Sequence, residues 1–215
     1  MLRENLFIHI PRTGGTTVHK VLDKYATQIP NHTLGVEAKR KWPWCFRYTI
    51  MRNPYTRMVS CYECQFPREP DHYHLPQEPD SLTFDRYVEI ITDGWHDNQD
   101  SNGSPNFQHW RPQTDWILDE NDNLIVDYIG HTETLMKDCN EILRLINAGI
   151  IMQDPVKEGF APKPSYIQYP ELSSISLNSS NWRFVHYEDY FNDEVRKKVE
   201  KYYGRDIDLL KVKFK

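Results

Sequence analysis

The sequence predicts an α/β domain in which a parallel sheet carries helices on both faces. Short apolar runs rich in strand formers begin near residues 6, 46 and 124. Each is followed by apolar residues at helical spacing. A glycine-rich turn joins the first run to its helix. Strands that alternate with helices are joined by crossovers, and crossovers lay helices over the sheet.

The first unit is the run Leu6 to Ile10, the loop Pro11-Arg12-Thr13-Gly14-Gly15-Thr16-Thr17, and a helix with Val18, Val21, Leu22 and Tyr25 on one face. The second is a strand over Phe46 to Met51, ending in Arg52-Asn53-Pro54. Pro54 suits the first turn of a helix, and that helix carries Met58, Val59 and Tyr62. Residues 67–81 read as a surface loop. Phe84 to Ile91 reads as a short helix with Ser81 or Thr83 near its cap. Residues 93–106 form a polar loop of the kind that often binds ligands. Leu124 to Gly130 is the third strand, and Thr132 to Ile146 is an amphipathic helix with Leu135, Cys139, Ile142, Leu143 and Ile146 on one face. Residues 153–181 read as irregular, and Glu194 to Tyr203 as the last helix. The chain reads as one domain over residues 1–215, with no internal repeat.

Composition narrows the function. The 215 residues carry 26 Lys/Arg against 31 Asp/Glu, a net charge of −5, which argues against a protein that coats nucleic acid. No eighteen-residue apolar run exists to span a membrane. The start Met1-Leu2-Arg3-Glu4-Asn5 leads too soon into a strand to be a signal peptide. Four cysteines make no disulfide scaffold. A soluble cytoplasmic protein is the expectation. The charge is uneven: residues 1–60 hold ten Lys/Arg against three Asp/Glu, and residues 61–140 hold four against seventeen. A basic first quarter in an acidic chain either holds an anion or faces the acidic part within the fold.

A glycine-rich turn between strand and helix is an anion cradle. Its backbone N–H groups point outward, and the helix dipole adds about half a positive charge. Here Arg12 and the hydroxyls of Thr13, Thr16 and Thr17 add to it; the alternative is a plain turn with Thr as helix cap. Neither the Walker pattern G-x-x-x-x-G-K-S/T nor G-x-G-x-x-G is present. In the second segment Arg52 closes a strand, and Arg57 and Ser60 lie within two turns of the next helix. An Arg and a Ser so placed can grip one phosphate by charge-assisted bonds. Two such sites suit a ligand with two separated anionic groups.

Both segments resemble the nucleotide-binding motifs of the sulfotransferases that use 3′-phosphoadenosine 5′-phosphosulfate (PAPS). The first resembles that family's 5′-phosphosulfate loop. The second resembles its 3′-phosphate motif, R-N/D-P-x-x-R-x-x-S-x-Y. Phe107-Gln108-His109-Trp110-Arg111-Pro112-Gln113 is similar to the H-W-x-P-Q-type segment of the branch with heparan-sulfate 2-O and chondroitin sulfotransferases, and the region from Asn181 to Phe214 to its closing strand and helix. The resemblance implies a P-loop-NTPase-like three-layer fold around a central parallel sheet. It implies transfer of a sulfuryl group from PAPS to a hydroxyl of an acceptor, a carbohydrate or another hydroxylated compound, with 3′-phosphoadenosine 5′-phosphate (PAP) released and no metal. By carry-over, Arg12, Thr13, Gly14, Gly15, Thr16 and Thr17 hold the 5′-phosphosulfate, and Arg52 and Ser60 the 3′-phosphate. The family more often has Lys where Arg12 stands.

Transfer to a hydroxyl needs a proton acceptor. In the heparan-type branch a catalytic His lies about twenty residues before the motif's first Arg. His32 lies twenty residues before Arg52, so the resemblance makes it the first candidate. His109, in the H-W-x-P-Q-like segment, is the second; packing beside Trp110 is its structural alternative. Glu37 and Asp115 follow. Cys61 and Cys64 with His72 and His74 have a zinc-like look, but Cys61 shares a helix with Ser60 and no second Cys pair exists. The aromatic- and His-rich stretch 67–110 suits an acceptor pocket. The run Arg196-Lys197-Lys198 suits a solvated helix face. A kinase-like phosphoryl transferase and a non-catalytic nucleotide-binding module remain as alternatives. The first lacks the Walker Lys and a Mg²⁺-holding Asp.

Overall fold

The structure is a computed structural model, and it describes residues 4–23, 25, 33–65, 83–93, 107–146 and 186–211. Three strands form one sheet: β1 (Asn5–Ile8), β2 (Phe46–Met51) and β3 (Tyr128–His131), in the order β1-β2-β3. Both pairings are parallel. Asn5 stands beside Phe46 and Ile8 beside Thr49; Tyr48 stands beside Tyr128 and Met51 beside His131. All three strands therefore end at one edge of the sheet.

Alternate side chains of β1 serve two cores, as the period of a strand requires. Leu6 and Ile8, with Ile10 just past the strand, pack with Ala38, Cys45, Met51, Trp116 and Ile117. Those partners include residues of α2 (Gly35–Lys41) and α6 (Thr114–Ile117). Phe7 points the other way, with Tyr48 and Ile50, into Val18, Val21, Leu22, Cys139, Ile142 and Leu143. That face is covered by α1 (Gly15–Leu22) and α7 (Leu135–Leu145). A third, aromatic core joins α3 (Pro54–Gln65), α4 (Phe84–Thr92) and α8 (Asp193–Tyr202) around Tyr55, Tyr87, Trp110, Tyr187 and Tyr203. Two further short helices are α5 (Phe107–Trp110) and α9 (Gly204–Leu210). No described helix is long and apolar enough to cross a membrane.

Three sequence expectations need correction. The first strand stops at Ile8, because Thr13 turns its hydroxyl back onto the Ile10 carbonyl at 2.8 Å and the chain curls into the loop. The third strand begins at Tyr128, not Leu124. Leu124 instead forms an isolated antiparallel bridge with Leu118, across a turn whose Asp119 carboxylate accepts the backbone N–H groups of Asn121 and Asn123. Apolar content there serves a turn and a ladder in succession, so periodicity merged them. The helix expected from Thr132 starts as a 3₁₀ turn over Thr132–Thr134 and becomes α-helical at Leu135. Asp138 causes that tight start by accepting from Thr134 Oγ1 at 2.6 Å and from the His131 N–H at 2.9 Å. The strand over Phe46–Met51 and the Thr83 cap of α4, whose hydroxyl accepts from the Arg86 N–H, match the sequence reading. The helices α2, α5, α6 and α9 were not expected from sequence. The expected loops and irregular segment over 67–81, 93–106 and 153–181 lie outside the described residues, except Asp93.

Candidate functional site

The ends of the parallel strands bring the two anion motifs together. At the end of β1 the loop contains two residues in the left-handed region, Arg12 (φ 67°) and Gly14 (φ 88°). Gly14 adopts that conformation without strain, whereas Arg12 bears a steric cost of order 1–2 kcal/mol. Gly14 is the N-cap of α1 and offers no side-chain cap. Thr17 and Val18 donate back to its carbonyl. The first amides of α1, at Gly15 and Thr16, precede any intrahelical acceptor and face outward with the positive helix end. Thr132 locks the loop to the sheet. Its Oγ1 lies 3.0 Å from the Thr13 carbonyl and 3.2 Å from that of Met51.

The residues expected to bind the donor divide into two kinds. Thr13 is fully buried and its hydroxyl holds Ile10, so that side chain shapes the loop rather than facing a ligand. This corrects its expected role as a contact through the hydroxyl. Gly15 has ordinary φ, but a Cβ there would sit 1.9 Å from His9 Nε2. Its missing side chain makes room for an imidazole that stacks on Phe7 and meets His19 at 3.3 Å. Thr16 is exposed and Thr17 half-buried at the mouth. No side chain of Thr13, Thr16 or Thr17 caps α1.

At the end of β2, Arg52 is half-buried. Its Nε donates to Thr56 Oγ1 at 3.0 Å and its Nη1 reaches the Arg12 carbonyl at 3.4 Å. Arg12 in turn donates from Nη2 to Ser60 Oγ at 3.1 Å. Arg12, Arg52 and Ser60 thus form one cluster across three segments, with two guanidiniums and a hydroxyl converging on the strand ends. Such a set suits phosphate or sulfate oxygens, which accept charge-assisted bonds and offset the like-charge repulsion between the arginines.

Arg57, quoted in the motif but given no role from sequence, is the structural centre of the site. It is fully buried. Its Nε donates to the Pro11 carbonyl at 3.0 Å, Nη1 to Arg111 at 2.8 Å and Nη2 to His109 at 2.9 Å. One guanidinium fork thereby ties the anion loop to the 109–111 segment. Gln113 and Asp206 were also missed; both are fully buried. Gln113 bonds both backbone groups of Arg52, and Asp206 bonds Gln113 and Thr114. Burial pushes the Asp206 carboxyl up, opposed by the Gln113 and Thr114 bonds and the Arg57 charge. The H-W-x-P-Q-like stretch was the available signal for Gln113. A lone Asp in a late helix offered none.

Of the candidate bases, His32 lies outside the described residues. His109 is half-buried, its Nδ1 is shut from solvent, and its carbonyl is held by Arg57 and by Cys61 Sγ at 3.1 Å. Its backbone is therefore close to the loop. Asp115 is paired with Arg111 Nε at 3.3 Å. Glu37 is exposed on α2, beside Thr33, Arg40, Lys41 and Trp42, and not among the Arg12–Arg52–Ser60 contacts. Glu133, not singled out from sequence, accepts from the Asn53 N–H at 3.1 Å and so places a carboxylate beside the second motif. Cys61 is buried against His109 rather than presented to a metal; His72 and His74 lie outside the described residues. Among the described residues no three His, Cys, Asp or Glu side chains gather as a metal set.

No curated protein and no solved structure matches the chain. The match to a known family, described as the sulfotransferase family, extends over residues 5–213. It contains both anion motifs, the tethering Arg57 and Gln113, and the closing helices. With that match over nearly its whole length, the chain belongs to the sulfotransferase family.

Proposed function

We propose that this sulfotransferase moves the sulfuryl group of PAPS to a hydroxyl of an acceptor, using a single P-loop-like domain over residues 1–215. The convergence of Arg12, Arg52 and Ser60 at the ends of parallel strands supports this reading most directly. Arg52 and Ser60 take the 3′-phosphate. Arg12 and the amides of Gly14 to Thr17 take the 5′-phosphosulfate. In the in-line step the acceptor oxygen bonds to sulfur as the bond from sulfur to the phosphate oxygen breaks. Negative charge grows on that phosphate, where Arg12 and the helix end stabilise it without reorganisation. The hydroxyl proton passes to His32, acting as base. Most of the rate comes from holding the two reactants in line. The acceptor is a hydroxylated compound, with a glycan as the favoured class.

Thermal shift is the first test. PAP should raise Tm, and ATP with Mg²⁺ should not. Saturation at a hundred times Kd corresponds to about 2.7 kcal/mol of stabilisation. Turnover of sulfur-labelled PAPS across a panel of hydroxylated acceptors then separates an enzyme from a binding module. Stabilisation by ATP with Mg²⁺ alone would reject the donor assignment.

A further inference from the structure

The end of β2 is held in an unusual way. β2 stops at Met51, and the next residue, Arg52, has no strand beside it in the ladder. Gln113 takes the place of that strand. Its Oε1 accepts the Arg52 N–H at 2.9 Å and its Nε2 donates to the Arg52 carbonyl at 2.8 Å. One side-chain amide thus satisfies both backbone groups of one residue. The amide orientation is set by a third group, since Nε2 also lies 3.3 Å from Asp206 Oδ2. A reversed amide would oppose donor to donor at the Arg52 N–H and acceptor to acceptor at Asp206.

Asp206 in turn is held by the segment it holds. Its Oδ2 accepts the Gln113 N–H at 2.8 Å, and its Oδ1 accepts the Thr114 N–H at 2.8 Å and Thr114 Oγ1 at 2.9 Å. A carboxylate on α9 therefore binds the first N–H of α6 and the N–H of Gln113 just before it. The Arg52 side chain is aimed separately by Thr56. Backbone and side chain of one arginine are fixed by different partners, and those partners come from parts of the chain far apart in sequence.

We infer that Gln113 and Asp206 are positioning residues for 3′-phosphate recognition, acting through the backbone of Arg52. The inference rests on the reading of Arg52 as the 3′-phosphate contact. Neither residue touches the nucleotide. Each removes freedom from the arginine that does, so less order has to be imposed when the phosphate arrives.

The test uses calorimetry with two probes, PAP and adenosine 5′-phosphate, which differ by the 3′-phosphate alone. Gln113→Met keeps the volume and removes both amide bonds. It should weaken PAP about tenfold and leave adenosine 5′-phosphate within about twofold, so the preference for PAP falls about tenfold. In an Arg52→Ala background the same change should alter PAP binding by less than about twofold, because the backbone bonds remain but the guanidinium they position is gone. Asp206→Asn, which puts a donor against donors at nearly constant volume, gives the same selective loss and serves if Gln113→Met does not fold. Equal weakening of both probes, or an additive effect in the Arg52→Ala background, would show a general structural role and overturn the inference. Wild-type protein with no preference for PAP would remove the reading of Arg52 itself, and the inference with it.

Discussion

Replacing Arg57 with Lys tests whether the guanidinium fork builds the site. Lys keeps the positive charge but carries one nitrogen on a shorter stem. The three carbonyls of Pro11, His109 and Arg111 are each within 3.0 Å of a different guanidinium nitrogen. A single ammonium aimed into the same fully buried space reaches one of them. The two carbonyls left behind lose a guanidinium donor, although that of His109 keeps the Cys61 thiol, so at about 1–3 kcal/mol for each donor lost the total is about 1–6 kcal/mol. For a domain of this size each kcal/mol lowers Tm by about 2–4 °C, so a fall of roughly 2–24 °C is expected. Urea unfolding and thermal melts without nucleotide read it directly. PAP affinity should fall as well, because Pro11 precedes Arg12 and loses its tether to the 109–111 segment. A stability loss below about 1 kcal/mol would refute the reasoning, since it would mean that the carbonyls find other donors or water.

Arg52→Ala should weaken PAP by roughly 1.5–3 kcal/mol, the range of a hydrogen bond to a charged group, with Ser60→Ala losing less; unchanged calorimetric affinity would reject the 3′-phosphate assignment. Gly15→Ala should destabilise by about 1–3 kcal/mol through overpacking against His9, and His9→Ala in the same chain should restore much of it; a wild-type melt for the single variant would show that the space is not needed. Gly14→Val should disrupt the loop by strain at its positive φ, read as lost PAP binding with native circular dichroism elsewhere. His32→Ala should lower turnover by roughly two to four orders of magnitude with PAP affinity unchanged; equal turnover would move the base to another residue. Asp206, whose carboxyl is raised by burial, holds its proton to higher pH when folded than when unfolded. Its titration therefore favours folding at acid pH, and this contribution is lost as pH rises through the folded value. Asp206→Asn should flatten that part of the Tm-against-pH curve, and an unchanged slope would count against the linkage.

Local pattern served well where one physical cause acted alone. Phe46–Met51 is buried at every position but Arg47, and its density of strand formers, with Arg52-Asn53-Pro54 closing it, marked it as a strand with its bounds intact. The Thr83 cap and the apolar face of α1 are equally local, because a cap spans three residues and a helix face a few turns. Leu124 failed because it is apolar for another reason, a bridge to Leu118 that leaves it half exposed. The strand–turn–helix form of both motifs was legible because loop and helix start are consecutive in sequence. Gly15 was legible as necessary, but its reason was not, since the His9 ring that fills its space is set by the fold.

From sequence alone followed the α/β class, the family resemblance, the two strand–turn–helix motifs and the candidacy of Arg12, Arg52 and Ser60. Those features depend on periodicity and on residues a few positions apart, which the covalent chain places directly. The convergence of the motifs depends on more. Parallel pairing brings the ends of β1, β2 and β3 to one edge. Arg57 reaches across to 109–111, Gln113 reaches back 61 residues to Arg52, and Asp206 reaches 93 residues to Gln113. Each of these residues is polar, fully buried and aimed at backbone groups. Backbone N–H and C=O groups are the same at every residue, so the sequence carries no mark of which ones a distant side chain will find. Only the packing of helix on sheet brings those partners within hydrogen-bond reach and turns two local motifs into one site.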